Sequence, residues 1–125
     1  MEKTPQTVVA NGLRFAYLAQ GSGPLVLLLH GFPELWYSWR HQIPALAQAG
    51  YRVVAPDLRG YGQTGGSKDA ADYTIKTLAA DVVGLLDALG EKQCVLVGHD
   101  FGAVLTWNTV LLAPDRVRAV VALSV

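Results

Sequence analysis

Cys94-Val95-Leu96-Val97 is a short apolar run that ends in Gly98-His99-Asp100-Phe101-Gly102, and an apolar helical pattern begins at once with Ala103, Val104 and Leu105. A strand therefore turns sharply into a helix within five residues, and few backbones can do so. The turn is tight enough that a Cβ at position 98 or 102 would collide with the strand or helix beside it, which explains glycine at both. Asp100 stands at the apex, held out of the sheet at a helix N-terminus. There the helix dipole and the free backbone N–H groups favour negative charge.

The rest of the chain fits around that turn. Thr7 to Ala10 and Leu13 to Ala19 read as strands joined by Asn11-Gly12, a strong hairpin signal because both residues tolerate positive φ. Leu25 to Leu29 is apolar on both faces, as a buried parallel strand should be. Trp36 to Ala49 reads as largely helical, with Gly50 as its stop and a break or kink before Pro44. Tyr51 to Ala55 is the next strand, and Pro56 to Asp72 a long polar, glycine-rich loop. Thr74 to Leu89 is the clearest helix: Ile75, Leu78, Ala79, Val82, Val83, Leu85, Leu86 and Leu89 form one apolar stripe. Gly102 to Ala113 is a second helix, stopped by Pro114, and Val117 to Val125 a last apolar strand. The alternation from Leu25 onward predicts an α/β fold. Its mostly parallel sheet has about six strands, an N-terminal antiparallel hairpin and helices on both faces. No internal boundary divides residues 1–125.

Composition narrows the function classes. Hydrophobic residues make up 51% of 125, enough for one real core. Ten basic and ten acidic residues balance, so no charge surplus points to nucleic acid or to an anionic membrane. No apolar leader and no membrane-length run is visible, and a cytoplasmic location is the default expectation. The single cysteine, Cys94, reads as a reduced core thiol. Three histidines and one cysteine without short ligand spacing suggest no metal site, and no cofactor is expected.

Ligands bind such sheets at the carboxyl ends of the strands. Two loops lie there: His30-Gly31-Phe32-Pro33-Glu34 and Gly98 to Gly102. The backbone N–H groups of Phe32 and Phe101 are placed to hold a developing oxyanion together. Gly60-Tyr61-Gly62-Gln63-Thr64-Gly65 matches a dinucleotide fingerprint only in spacing. Asp57-Leu58-Arg59 separates it from the strand, no helix follows, and Asp81 falls inside a helix rather than at a strand end. Gly66 stands where a Walker A loop needs lysine. Asp57 and Arg59 are expected to fix this loop by local hydrogen bonds.

His30-Gly31-Phe32-Pro33-Glu34 with Trp36, Asp57-Leu58-Arg59-Gly60-Tyr61-Gly62, and Gly98-His99-Asp100-Phe101-Gly102 together resemble the α/β-hydrolase-fold epoxide hydrolases, from about Leu13 to Val125. The resemblance implies Asp100 as nucleophile on a nucleophile elbow, with Phe32 and Phe101 as oxyanion-hole amides. It also implies a pocket for a small-molecule epoxide touched by Trp36, His30 and Pro33, although Trp36 is equally readable as a core aromatic and a histidine at position 30 more often plays a structural, hydrogen-bonded role. A carboxylate suits that chemistry because it can attack an sp³ carbon in line and form an alkyl ester. Haloalkane and fluoroacetate dehalogenases share the Asp nucleophile. They usually carry Asn where Phe32 stands and Arg where Phe101 stands, respectively, so the epoxide reading is preferred.

The chain departs from the family after Asp100. Only Asp115 is acidic beyond it, and no histidine follows His99. The expected acid, water-activating histidine, cap domain and activating tyrosines would lie beyond Val125. The sequence thus resembles the N-terminal half of the core, and little multiple turnover is expected of it. His99 faces away from Asp100's direction on the elbow, and His41 reads as solvated. A competing expectation is a catalytically silent half-fold that self-associates as a homodimer through the edge strand Val117 to Val125.

Overall fold

A computed structural model describes residues 4–67 and 69–124. Six strands form one mixed sheet in the order β1-β2-β4-β3-β5-β6. They are β1 (Gln6–Ala10), β2 (Leu13–Gln20), β3 (Leu25–Leu29), β4 (Arg52–Pro56), β5 (Cys94–His99) and β6 (Val117–Leu123). β1 pairs antiparallel with β2, and β2 with β4; β4, β3, β5 and β6 run parallel. The hairpin turn forms as its residues predict, with Asn11 and Gly12 at φ 52° and 73°.

β3 explains why the sheet is covered on both sides. All five of its residues are buried. Leu25, Leu27 and Leu29 pack with Leu78, Val82 and Leu86 of α2 (Ile75–Ala88) and Leu105 of α3 (Phe101–Leu112). Val26 and Leu28 pack on the opposite face with Trp39 and with Ile43 of α1 (Gln42–Gln48). That is the period-2 alternation of a strand with apolar cover on each face, and each buried leucine contributes about 2 kcal/mol. α2 begins where Thr74 caps it, its side chain accepting from the Thr77 N–H. Gly90 at φ 74° follows its C-cap, Leu89.

Two expectations need correction. Trp36 to Ala49 is not one kinked helix: a 3₁₀ turn covers Trp36–Trp39, and α1 starts afresh at Gln42. Pro44 lies in the first turn of α1, where its missing N–H would have no partner in any case. The last strand ends at Leu123 rather than Val125, and Val125 itself lies outside the described residues. β6 is an edge strand, paired on one side with β5. Val121 and Leu123 on it, and Trp107, Leu111 and Leu112 on α3, are substantially exposed. Among the described residues no helix is long and apolar enough to cross a membrane.

Candidate active site

The parallel strands β3 and β5 are neighbours, with Leu29 opposite Gly98. Their carboxyl ends therefore deliver the loop after β3 and the turn after β5 to one place. Backbone crowding at the turn accounts for its glycines. A Cβ on Gly98 would press on the Gly102 carbonyl, and one on Gly102 on the Leu29 carbonyl. With both absent, α3 starts directly against β3. Asp100 sits between them at φ 59°, ψ −119°, a conformation that an L side chain rarely adopts. Its side chain is exposed.

The two loops meet on the Asp100 carboxylate. The Phe32 N–H donates to Oδ2 at 3.2 Å, and the Phe101 N–H faces the same carboxylate. The Phe101 amide first and the Phe32 amide second hold the Asp100 carboxyl below the usual carboxylate range, with a small further pull from His99. The missing Cβ of Gly31 permits this approach, since it would lie 2.6 Å from Asp100 Cβ and 2.9 Å from Oδ2.

The loop after β3 is braced from several sides. The Gly31 N–H donates to Glu34 Oε1 at 3.0 Å, and the Glu34 N–H returns to the Gly31 carbonyl at 2.9 Å. Glu34 also meets His99 Nδ1 at 3.3 Å. Burial alone would raise the Glu34 carboxyl, but the Gly31 N–H, His99 and Ser38 together outweigh it and leave it lowered. Buried Asp57 accepts from the Trp36 N–H at 2.9 Å and the Gln63 N–H at 3.1 Å, so one carboxylate ties two loops together. Arg59 forks onto Asp81 of α2 with two bonds of 2.8 Å. The expected local anchoring thus describes only the Asp57–Gln63 bond, whereas the Asp57–Trp36 bond and the Arg59 fork reach across the fold.

Residues 24–125 match the family model of the alpha/beta hydrolase fold. The chain belongs to the α/β-hydrolase fold family. Among curated relatives, epoxide hydrolase 2 of Siraitia grosvenorii is 53% identical over 126 residues, covering all of this chain and 40% of the relative. Epoxide hydrolase A of Mycobacterium tuberculosis is 56% identical over 124 residues, covering 98% of this chain and 38% of its own length. The crystal structure of an epoxide hydrolase from Vigna radiata superposes with a TM-score of 0.96 at 52% identity, over 99% of this chain and 40% of that one. This α/β-hydrolase chain therefore spans about 40% of the length of the relatives it matches, and it corresponds to their N-terminal part.

Within this α/β-hydrolase frame the sequence-derived site residues separate. Asp100, Phe32 and Phe101 come together. Pro33 is exposed beside Phe32, joined to it by a cis peptide bond. His30 requires correction as a substrate contact, because it is fully buried and both ring nitrogens are engaged. The Leu58 N–H donates to Nε2 at 3.0 Å, so Nε2 is the acceptor and the proton resides on Nδ1, which donates to the Gly31 carbonyl at 2.9 Å. Burial first of all pushes its pKa down, against the Gly31 bond and the charges of Asp57 and Glu34. Trp36 is half-buried and packs on the α1-side core, which is its structural reading. The cavity beside the elbow, about 260 Å³, is lined by Glu34, Ser38, Trp39, Gln42, His99 and Leu123, and not by Trp36 or Pro33. Glu34, His99 and Gly31 are the site residues to which the sequence assigned no part. Glu34 lay within the quoted loop motif, but its partner stands 65 residues away.

Proposed function

We propose that this chain carries the nucleophile half of an epoxide hydrolase and opens epoxides by attack of Asp100. The carrying observation is the convergence of the Phe32 and Phe101 amides on an exposed carboxylate. Oδ2 is held by the Phe32 N–H, which leaves Oδ1 to attack an epoxide carbon in line. The new C–O bond forms as the ring C–O bond breaks, and the ring oxygen leaves as an alkoxide that takes up a proton. Oδ2 is then the carbonyl oxygen of an alkyl ester. When water adds to that ester, the negative charge develops on Oδ2, already held by the Phe32 N–H. The depressed carboxyl supports this role, since the nucleophile must be ionised. Hydrolysis of that ester further needs a base to activate the water. Ester formation is the step these residues support.

Incubating the folded protein with styrene oxide and mapping peptides by mass spectrometry tests the proposal. An adduct on Asp100 that is absent from Asp100→Asn is expected. An unmodified Asp100 in a folded sample would refute it. Chloride release from chloroalkanes without reaction with epoxides would move the assignment to a dehalogenase.

A second reading is favoured by the open flank of β6, where Val121 and Leu123 are exposed, as are Trp107 and Leu111 of α3. Two copies of the chain pairing along β6 about a two-fold axis would cover that edge. Light scattering that finds only monomer at high concentration would rule this assembly out.

A further inference from the structure

Phe32 is poorly tethered for a residue whose amide holds the nucleophile. Its side chain is 69% exposed, and its backbone N–H makes the single bond to Asp100. Glu34 braces Gly31 on one side of it. Beyond Phe32, Pro33 is exposed. One buried-side contact remains. The Tyr61 ring meets the Phe32 ring edge-on, with centroids 6.4 Å apart at 81°. The same Tyr61 ring meets the His30 imidazole edge-on at 4.9 Å and 70°.

We propose that Tyr61 is a positioning residue that keeps the Phe32 amide on Asp100 by holding the Phe32 ring edge-on while resting on the immobile imidazole of His30. His30 is a fixed backstop, since both of its nitrogens are bonded to backbone. Tyr61 is itself fixed. Its N–H donates to the Leu58 carbonyl at 2.9 Å, and the Leu58 N–H in turn holds His30. Thr64 closes the same loop by donating its N–H to the Tyr61 carbonyl at 3.0 Å. The Arg59–Asp81 fork two residues earlier anchors the segment to α2. Edge-to-face contacts of this kind shift a local equilibrium by roughly two- to twelvefold, enough to decide whether an exposed loop amide stays on its acceptor. Burial, and then the nearby Asp100 charge, push the Tyr61 phenol up, so the ring beside the nucleophile stays neutral.

The proposal rests on the nucleophile reading of Asp100, but its test needs no epoxide, so the two can fail separately. Amide proton shifts of Phe32 and Phe101 are followed by NMR while Asp100 is titrated, with His99, Glu34 and Tyr61 as the neighbouring titratable groups. In the unaltered protein both amides should move with the carboxylate. Tyr61→Leu should lose the Phe32 response by at least about twofold while Phe101 retains its own, and Tyr61→Phe should preserve both. Phe32→Ala cuts the same contact from its exposed side, leaves the buried loop untouched, and should likewise weaken the response of the amide at position 32. This variant decides the matter if Tyr61→Leu does not fold. An undiminished position-32 response in folded Tyr61→Leu, or in Phe32→Ala, would overturn the proposal.

Discussion

Replacing His30 by leucine tests the buried pin beneath the site. Leucine fills a comparable volume, so the cavity term is small. The Leu58 N–H loses its acceptor inside the core, which costs about 1–3 kcal/mol. The Gly31 carbonyl keeps the Glu34 N–H, so its loss is confined to one bond of about 1 kcal/mol. With a weakened contact to Tyr61, the total is about 3 kcal/mol at pH 7.5, a large share of the 5–15 kcal/mol typical of such domains. The effect should also depend on pH with a definite sign. Burial holds the folded-state pKa of His30 below 6.5, so in mild acid the unfolded chain takes up a proton that the folded protein does not. The stability contributed by the imidazole is complete above pH 6.5 and is lost as the pH falls towards the folded-state value. At most one proton is involved, so between pH 7.5 and 5.5 the unaltered protein loses up to about 1.4 kcal/mol that His30→Leu does not. Urea denaturation of both proteins at the two pH values measures this directly. Equal midpoints at pH 7.5, or a gap that does not narrow at pH 5.5, would refute the reasoning.

Other perturbations probe separate parts of the fold. Gly102→Ala drives a Cβ onto the Leu29 carbonyl and should cost about 1–3 kcal/mol in urea melts, with loss of reactivity at Asp100. Arg59→Leu strands Asp81, whose side chain is 5% exposed, and should cost about 3 kcal/mol. Replacing both partners by leucine should recover much of that loss in the same melts. The Cys94 thiol, pushed up to about 12 chiefly by burial, should resist iodoacetamide at pH 8 in the native protein and react on unfolding. Alkylation of Asp100 by epoxide should hold its rate as the pH falls from 7 and decline only below 3.8, because its carboxyl is lowered. A decline beginning well above that value, in samples folded by circular dichroism, would contradict the amide contacts.

What could be read from the sequence was whatever local sterics decide. The elbow depends on Gly98 and Gly102 and on an apolar strand adjoining an apolar helix, all within a dozen residues. The hairpin depends on Asn11-Gly12. The convergence of the two loops followed from β3 and β5 being parallel. What escaped depends on contacts across the fold. A structural His30 was readable, but not its partner, because its acceptor nitrogen meets an N–H 28 residues away. Arg59 lies in a loop rich in local hydrogen-bonding groups, yet its guanidinium reaches a helix 22 residues on. For Trp36 the family resemblance implied pocket lining and the core reading stood equally open. The 3₁₀ turn that turns it onto the α1-side core leaves no periodic signature distinct from a helix start.

The backbone angles at Asp100 have a consequence for any effort to toughen this protein. A glycine would adopt φ 59°, ψ −119° without steric penalty, whereas aspartate is held there only by its surroundings. Rounds of selection for heat resistance alone would therefore press on residue 100 early, trading its carboxylate for relaxed backbone, and a library screened without a chemical readout should be expected to yield sturdier descendants that lack the carboxylate.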